Sequence, residues 1–390
     1  MQENFISFFN EKNENMRAAL GREGALLSQM TRLGLPVPEG FTVTADACVA
    51  FYANGKQPGE ALITQLVSAV RALEDQTGLR ADDAKAQLLL SVRVSPVVPM
   101  PGLMEPVRYL GLTERIIAYD DFETYHKDAE RLRLRFVRDY AHSVLGMAYG
   151  PFDRILEEKK EACGVSPAQE LYAEDLKAVL SAYEALIEEA KKPFPQDLMI
   201  QLVEAVCAAF RSWEDPRAVV YRRDHGIAEE PRLAVNVQRM TYPTADENSG
   251  VGVSYARGPQ AEKIDPEGDF LPQAGEEDLF AGLRAPMPLS RLNGRFPTLY
   301  QEMRAQMALL EEQIENLYAV SFALEKGKLW YTGVQTAEGL GSPAKREAGG
   351  GFEPSLDYGA HPTLSALPPE LLQAQQALKA DWLAGKNEYA

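Results

Sequence analysis

The stretch "YAVSFALEKGKLWYTGV", residues 318–334, decides what kind of fold the chain can adopt. Val320, Phe322 and Leu324 alternate with Ala319, Ser321 and Ala323, which is the two-residue period of a strand. Lys326-Gly327 then supplies a tight turn and "KLWYTGV" runs back, so the stretch predicts a β-hairpin. Upstream, "PTLYQEMRAQMALLEEQIEN" (297–316) switches to the three-and-four spacing of an amphipathic helix. "RLAVNVQRM" (232–240) and "GVGVSYAR" (250–257) alternate again and read as further strands. Between about 113 and 213 the pattern is almost wholly helical: "AERLRLRFVRDYAHSVLG", "EDLKAVLSAYEALIEEAKK" and "DLMIQLVEAVCAAFRSW" each repeat apolar residues three and four apart. Residues 1–110 mix both types, with "GEALITQLVSAVRALEDQTG" helical and "AQLLLSVRV" a buried strand that runs into Pro96, Pro99, Pro101 and Gly102. The expected class is therefore α+β. After Glu338 a Gly/Pro/Ala-rich linker leads to a terminal helix, "PPELLQAQQALKADWLAG", whose Leu371, Leu372, Leu378 and Trp382 are expected to dock on this chain or on a second copy.

Composition narrows the partners. A chain of 390 residues has room for two or three cores. The formal net charge of −17 argues against nucleic acid or an anionic membrane as partner. There is no apolar run long enough to span a bilayer, and "MQENFISFFNEKNENM" lacks the layout of a signal peptide, so a cytoplasmic location is expected. Cys48, Cys163 and Cys207 are far apart and read as buried thiols of a reducing compartment. The four histidines, His126, His142, His225 and His361, are equally scattered, which disfavours a zinc site. A bound anion would need arginines gathered locally, and Arg131, Arg133, Arg135 and Arg138 are candidates.

One glycine turn bears on such an anion. In "LGREGALLSQM" (20–30) Gly21 and Gly24 flank Arg22 and Glu23 ahead of a helix. A turn of this kind points backbone N–H groups and the positive end of the helix dipole at whatever lies in front of it. Glu23 stands where a phosphate site would be expected to carry a cation.

Three segments in this order resemble the N-terminal nucleotide-binding part of the pyruvate, phosphate dikinase family: "GREGALLSQMTRLGLPVPEGFTVTADAC", "LLLSVRVSPVVPMPGLMEPVRYLGL", and "AVNVQRMTYPTADENSGVGVSYARGP" continuing into "GDFLPQAGEEDLFAGLRAPMPL". With "FALEKGKLW" the resemblance spans about 18 to 336. It implies an ATP-grasp-like nucleotide-binding fold with a helical insertion. The expected division is 1–112, an N-terminal subdomain with the phosphate-loop-like segment; 113–197, the helical insertion; 198–240, a return to the first subdomain; 241–337, a β-rich subdomain; and 338–390, linker and terminal helix. In the family, ATP with magnesium phosphorylates a histidine on a separate swivelling domain, and the phosphoryl group passes on to pyruvate at a barrel. Neither domain is expected within these 390 residues, as none of the four histidines has the Gly-rich, Thr-Ser-His context of the phosphocarrier.

The resemblance also assigns site residues. Arg93 and Arg135 match arginines that face phosphate, the catalytic candidates. Arg22 and Gly24 of the first loop, Met100 and Gly102 of "PMPG", Gln238 and Met240 of the adenine-pocket strand, Glu247 of a Glu-Asn-Ser-Gly turn, Asp269 and Gln335 are the nucleotide-binding candidates. Several positions depart from the family. Glu23 replaces its lysine and Arg22 a glycine, so that Arg22 is the cation left to substitute for the lysine. Pro99 and Pro106 replace hydroxyl residues, removing two N–H donors as well. Ala319 and Ser321 fall where two acidic magnesium ligands would stand, and Ala337 where an arginine would. No metal ligand is assigned. The expectation is an ATP-binding module that holds magnesium poorly and whose phosphotransferase chemistry is weak or lost, with a nucleotide or other small anion in the cleft and a separate phosphocarrier protein as partner. Two rivals remain: an active subunit that uses Arg22, Arg93 and Arg135 to phosphorylate a partner's histidine, and a non-catalytic scaffold.

Overall fold

Two five-stranded antiparallel sheets carry the fold. The computed structural model describes residues 4–12, 16–100, 102–117, 129–165, 171–256, 266–280 and 285–337, all within the compact unit Met1–Pro343. The terminal helix expected at 368–385, and the docking of Trp382 with it, lie outside the described residues.

The first sheet is built from β1 (Ile6–Phe8), β2 (Gly40–Val43), β3 (Leu90–Ser95), β4 (Val107–Leu110) and β5 (Ala234–Arg239), in the spatial order β1-β2-β5-β3-β4. Its central strand, β5, pairs Gln238 with Gly40 on one side and with Ser91 on the other. All six residues of β5 are buried, the polar Asn236, Gln238 and Arg239 included, so the alternation read in "AVNVQR" does not mark a wet face. The second sheet holds β6 (Gly250–Tyr255), β7 (Glu267–Pro272), β8 (Met287–Pro288), β9 (Leu317–Glu325) and β10 (Lys328–Thr336), in the order β10-β9-β6-β7-β8. β9 and β10 form the hairpin read from the sequence. Its turn residues Lys326 and Gly327 both take positive φ, the twist that a two-residue turn requires.

Helices cover both sheets. The helix Glu60–Thr77 buries Leu62, Leu66, Ala69, Val70 and Leu73, one stripe of its surface, and packs with helices Ala45–Ala53 and Leu198–Arg211 into the core of the first sheet. Asp197 caps the last of these by accepting from the Ile200 N–H at 3.0 Å. Val320, Phe322 and Leu324 point into a second core with Tyr300, Met303, Met307 and Leu310 of helix Pro297–Gln313. The helix Met16–Arg32, kinked at Gly21, adds Leu27 and Met30 to that core while packing on β3 and β5, so it forms a wall common to both sheets.

The helical insertion has its own core of Leu134, Val137, Phe152, Leu176, Val179 and Tyr183, from helices Ala129–Ser143, Tyr149–Cys163 and Ala173–Glu189. Its four arginines do not form a shared cationic patch. Arg133 is fully buried, ion-paired with Glu114 at 3.5 Å and Glu184 at 3.6 Å, and lies 5.2 Å from the Phe194 ring centre. Arg138 pairs with Asp139 and Asp153, Arg131 donates to the Leu171 carbonyl, and Arg135 reaches Asp278. Arg133 points away from the other three, and Arg131, Arg135 and Arg138, although their spacing of four and three puts them on one face of the helix, are each taken up by a different partner. One expectation is corrected: Cys48 and Cys207 are buried thiols, but Cys163, the last residue of its helix, is exposed. Among the described residues no helix is long and apolar enough to cross a membrane.

Candidate functional site

The glycine turn packs on the end of β3. Gly21 has φ +68, and a Cβ there would lie 1.7 Å from the Ser95 carbonyl oxygen. A Cβ on Gly24 would come within 2.7 Å of Asn236 Oδ1 and 2.8 Å of Thr42 Oγ1. Only glycine allows so close an approach at both places. The contact also occupies the turn's donors. The Gly24 N–H donates to Ser95 Oγ at 3.0 Å, the Arg22 N–H donates to the Pro96 carbonyl at 3.0 Å, and Ser95 Oγ donates to the Leu20 carbonyl at 2.9 Å. Two N–H groups at the start of the straight part of the helix, where an anion would otherwise be cradled, already have acceptors from β3 and the residue after it.

The guanidinium of Arg93, projecting from β3, lies 3.6 Å from Glu23 and 3.0 Å from Glu276, and donates to the Thr332 carbonyl of β10 at 3.4 Å. Glu276 has two further partners, the Thr332 hydroxyl, which donates at 2.6 Å, and Arg108 of β4 at 3.8 Å. Two residues on, Asp278 accepts from Arg135 at 2.6 Å and from the Gly275 N–H at 3.1 Å. The short helix Glu276–Phe280 thus sets two carboxylates against the two arginines assigned to phosphate. Burial raises the pKa of Glu23 above the ordinary carboxylate value; Arg93 opposes the rise, Glu276 adds to it and Arg22 opposes it.

Between the sheets lies a cavity of about 40 Å³, lined among others by Arg93, Arg108, Gln238, Met240, Glu276 and Thr332. That is space for about three waters. Gln238 donates from Nε2 to the Pro38 carbonyl at 3.2 Å, and Met240 Sδ accepts from the Tyr109 N–H at 2.9 Å. Between them Arg239 pairs with Glu39 at 2.7 Å and with Glu325 of β9 at 3.8 Å, its guanidinium 4.6 Å from the Trp330 ring centre.

The remaining candidates do not line this cavity. Met100 packs against the core of the first sheet, and a Cβ on Gly102 would meet Arg217 Cβ at 2.5 Å, so that loop lies against helix Pro216–Asp224. Glu247 is exposed in a turn stitched by Ser249 Oγ donating to Asp246 at 2.6 Å. Asp269 sits in β7 opposite Val253, and Gln335 in β10 opposite Ala319. Ala319 and Ser321 are both buried, at 2% and 5% exposure, and supply a methyl and a hydroxyl where two carboxylates would be needed. Among the described residues no three His, Cys, Asp or Glu side chains come together as a metal site.

Sequence reasoning missed Glu276, Asp278, Arg108 and Thr332. A signal existed for three of them. "GEEDLF" is an acidic run directly after a strand, and Arg108 in "VRYL" stands on the strand beside Arg93.

Two antiparallel sheets, a helical insertion and a glycine turn packed between strands define a mixed α+β protein, consistent with the ATP-grasp-like fold that the resemblance implies. Comparison with known proteins gives the family: residues 60–267 match the family described as "Pyruvate phosphate dikinase, AMP/ATP-binding domain", and the chain belongs to it. It is 36% identical over 339 residues to pyruvate, phosphate dikinase of Clostridium symbiosum, an alignment covering 85% of this chain and 38% of that protein. Pyruvate, phosphate dikinase 2 of Zea mays is 34% identical, over 87% of this chain and 38% of its own length. Pyruvate, phosphate dikinase of Rhizobium meliloti (strain 1021) is 33% identical, over 89% and 42%. The chain therefore spans about two fifths of the length of these relatives.

Proposed function

We propose that this chain is an adenine-nucleotide-binding module in which phosphotransfer is weak or lost. The observation that carries the reading is the state of Arg93, whose guanidinium is held by two carboxylates of its own chain, Glu23 and Glu276. Phosphoryl transfer needs cations free to offset charge developing on the equatorial oxygens. At 3.0 Å and an effective dielectric of about 20, one such ion pair is worth up to about 5–6 kcal/mol, so an entering phosphate competes at a disadvantage. The donor set at Ala319 and Ser321 does not fit magnesium, which removes the second usual source of positive charge. Arg22, Gly24, Gln238 and Met240 remain the residues nearest a nucleotide's expected path, with Arg93 and Arg135 as its catalytic candidates. A cytoplasmic location, and a separate protein carrying the phosphoryl-accepting histidine, belong to the same reading.

Titration calorimetry with ATP and ADP, with and without magnesium, together with an assay of magnesium-dependent ATP turnover, tests it. Weak, magnesium-independent nucleotide binding without turnover is the expected result. Turnover with transfer to a partner's histidine would establish an active subunit instead, and no nucleotide binding of any kind would leave a scaffold.

A further inference from the structure

We infer that Glu276 sets the charge selectivity of the cleft, acting as an internal anion that makes it favour adenine ligands of low charge, a nucleoside or nucleoside monophosphate, over polyphosphates. The inference rests on the nucleotide-module reading above and names the ligand class for the same site. Each arginine that lines the cavity is opposed by a carboxylate: Arg93 by Glu23 and Glu276, Arg108 by Glu276, and Arg239 by Glu39 and Glu325. A phosphate chain entering here meets opposed guanidiniums and must take the place of a carboxylate to reach any of them.

Glu276 differs from the other carboxylates in its reach. It lines the cavity, it is held by arginines of two neighbouring strands of the first sheet, and it accepts from Thr332 of the second sheet. Its two oxygens thus bridge the seam between the sheets, as a bound anion would. The cavity of about 40 Å³ admits a ligand only if that seam widens around it. A nucleoside that widens it meets no charge penalty from the displaced carboxylate. A di- or triphosphate brings two or more negative charges up against it.

The experiment is calorimetric titration of adenosine, AMP, ADP and ATP, without magnesium, into the wild type, Glu276→Gln and Thr332→Val. Glu276→Gln keeps the shape and an acceptor for Thr332 but removes the charge. Thr332→Val removes one hydrogen bond across the seam and keeps the charge. Thermal melts establish that each variant is folded. The wild type should bind adenosine and AMP at least tenfold more tightly than ATP. Glu276→Gln should shift the ATP-to-adenosine affinity ratio at least tenfold toward ATP, and Thr332→Val should keep the wild-type ratio. An unchanged ratio in Glu276→Gln, or an equal shift in Thr332→Val, would overturn the inference and leave the nucleotide-module reading standing. Failure of all three proteins to bind any adenine ligand would overturn both.

Discussion

Reversing the charge at position 23 tests the electrostatic account most directly. Glu23 lies 3.6 Å from the Arg93 guanidinium. At an effective dielectric of about 20 that separation corresponds to about 4–5 kcal/mol between unit charges, attractive now and repulsive in Glu23→Lys. The full change is not expected as lost stability. Burial already disfavours the ionised Glu23, Glu276 continues to neutralise Arg93 from 3.0 Å, and a lysine stem can swing its ammonium toward solvent. A loss of about 1–3 kcal/mol in the ligand-free protein is the working figure, or a Tm fall of about 2–4 °C per kcal/mol. Nucleotide should reverse it, because the introduced ammonium and Arg93 together offer an anion two cations. Ligand at a hundred times its Kd adds about 2.7 kcal/mol of apparent stability. The assay is a set of thermal melts of wild type, Glu23→Gln and Glu23→Lys, each with and without ADP. Glu23→Lys should melt lowest without ligand and gain most from it, with Glu23→Gln between. If the wild type gains more from ADP than Glu23→Lys does, the register that puts this residue beside the phosphates is wrong, and the account of a disabled phosphate turn falls with it.

Three further outcomes follow from the same geometry. Because the native pKa of Glu23 is raised above its ordinary 4.5, the folded state holds this proton more tightly than the unfolded one; the wild type should lose stability as pH climbs from 4.5 through the native value, so the Tm difference between Glu23→Gln and wild type should move in favour of Gln over that window and then level off. Gly21→Ala should cost about 2–4 kcal/mol by urea denaturation, since its Cβ would overlap the Ser95 carbonyl, whereas Gly34→Ala, at φ +79 with nothing within 4 Å, should cost only the backbone strain of about 1–2 kcal/mol. Ala319→Asp with Ser321→Glu places two carboxylates at buried positions and should lower the Tm without metal; millimolar magnesium should recover part of that loss, and ADP binding should become magnesium-dependent only when Glu23→Lys is added.

Much of the fold was legible because its signals are local. The β9–β10 hairpin, the helices Glu60–Thr77 and Pro297–Gln313 and the strand β5 follow from hydrophobic period and turn residues within a dozen positions. The exposure of Cys163 was not legible, because its helix buries little beyond Phe152 and no cysteine rule reports where a helix end lies on the surface. The site divides in the same way. Glu23 was visible as an anomaly because it stands inside a glycine turn. Its consequence depends on Glu276, some 250 positions away, and sequence spacing says nothing about a carboxylate reached only through the packing of two sheets. The arginine series 131–138 misled for a related reason. Three of its members share a helix face, but each is already held by a different partner that the sequence does not place nearby.

The departures at the site act as a set, and that bears on how they can be reversed. The Ser95–Pro96 segment occupies the N–H groups of the glycine turn, Glu23 and Glu276 share one arginine, and Ala319 and Ser321 leave a metal without carboxylates. Groups that share a partner are coupled, so their substitutions are not expected to add. Removing Glu23 alone leaves Arg93 held by Glu276. Removing Glu276 alone leaves it held by Glu23, whose proton then becomes easier to lose because a neighbouring negative charge has gone. Either change by itself therefore uncovers only part of the charge on Arg93. Glu23→Gln combined with Glu276→Gln should raise ADP affinity by more than the product of the single effects, and calorimetry on the four proteins of that cycle measures the excess directly. A strictly multiplicative result would mean that the two carboxylates do not compete for the same guanidinium, which the distances of 3.6 and 3.0 Å to Arg93 argue against.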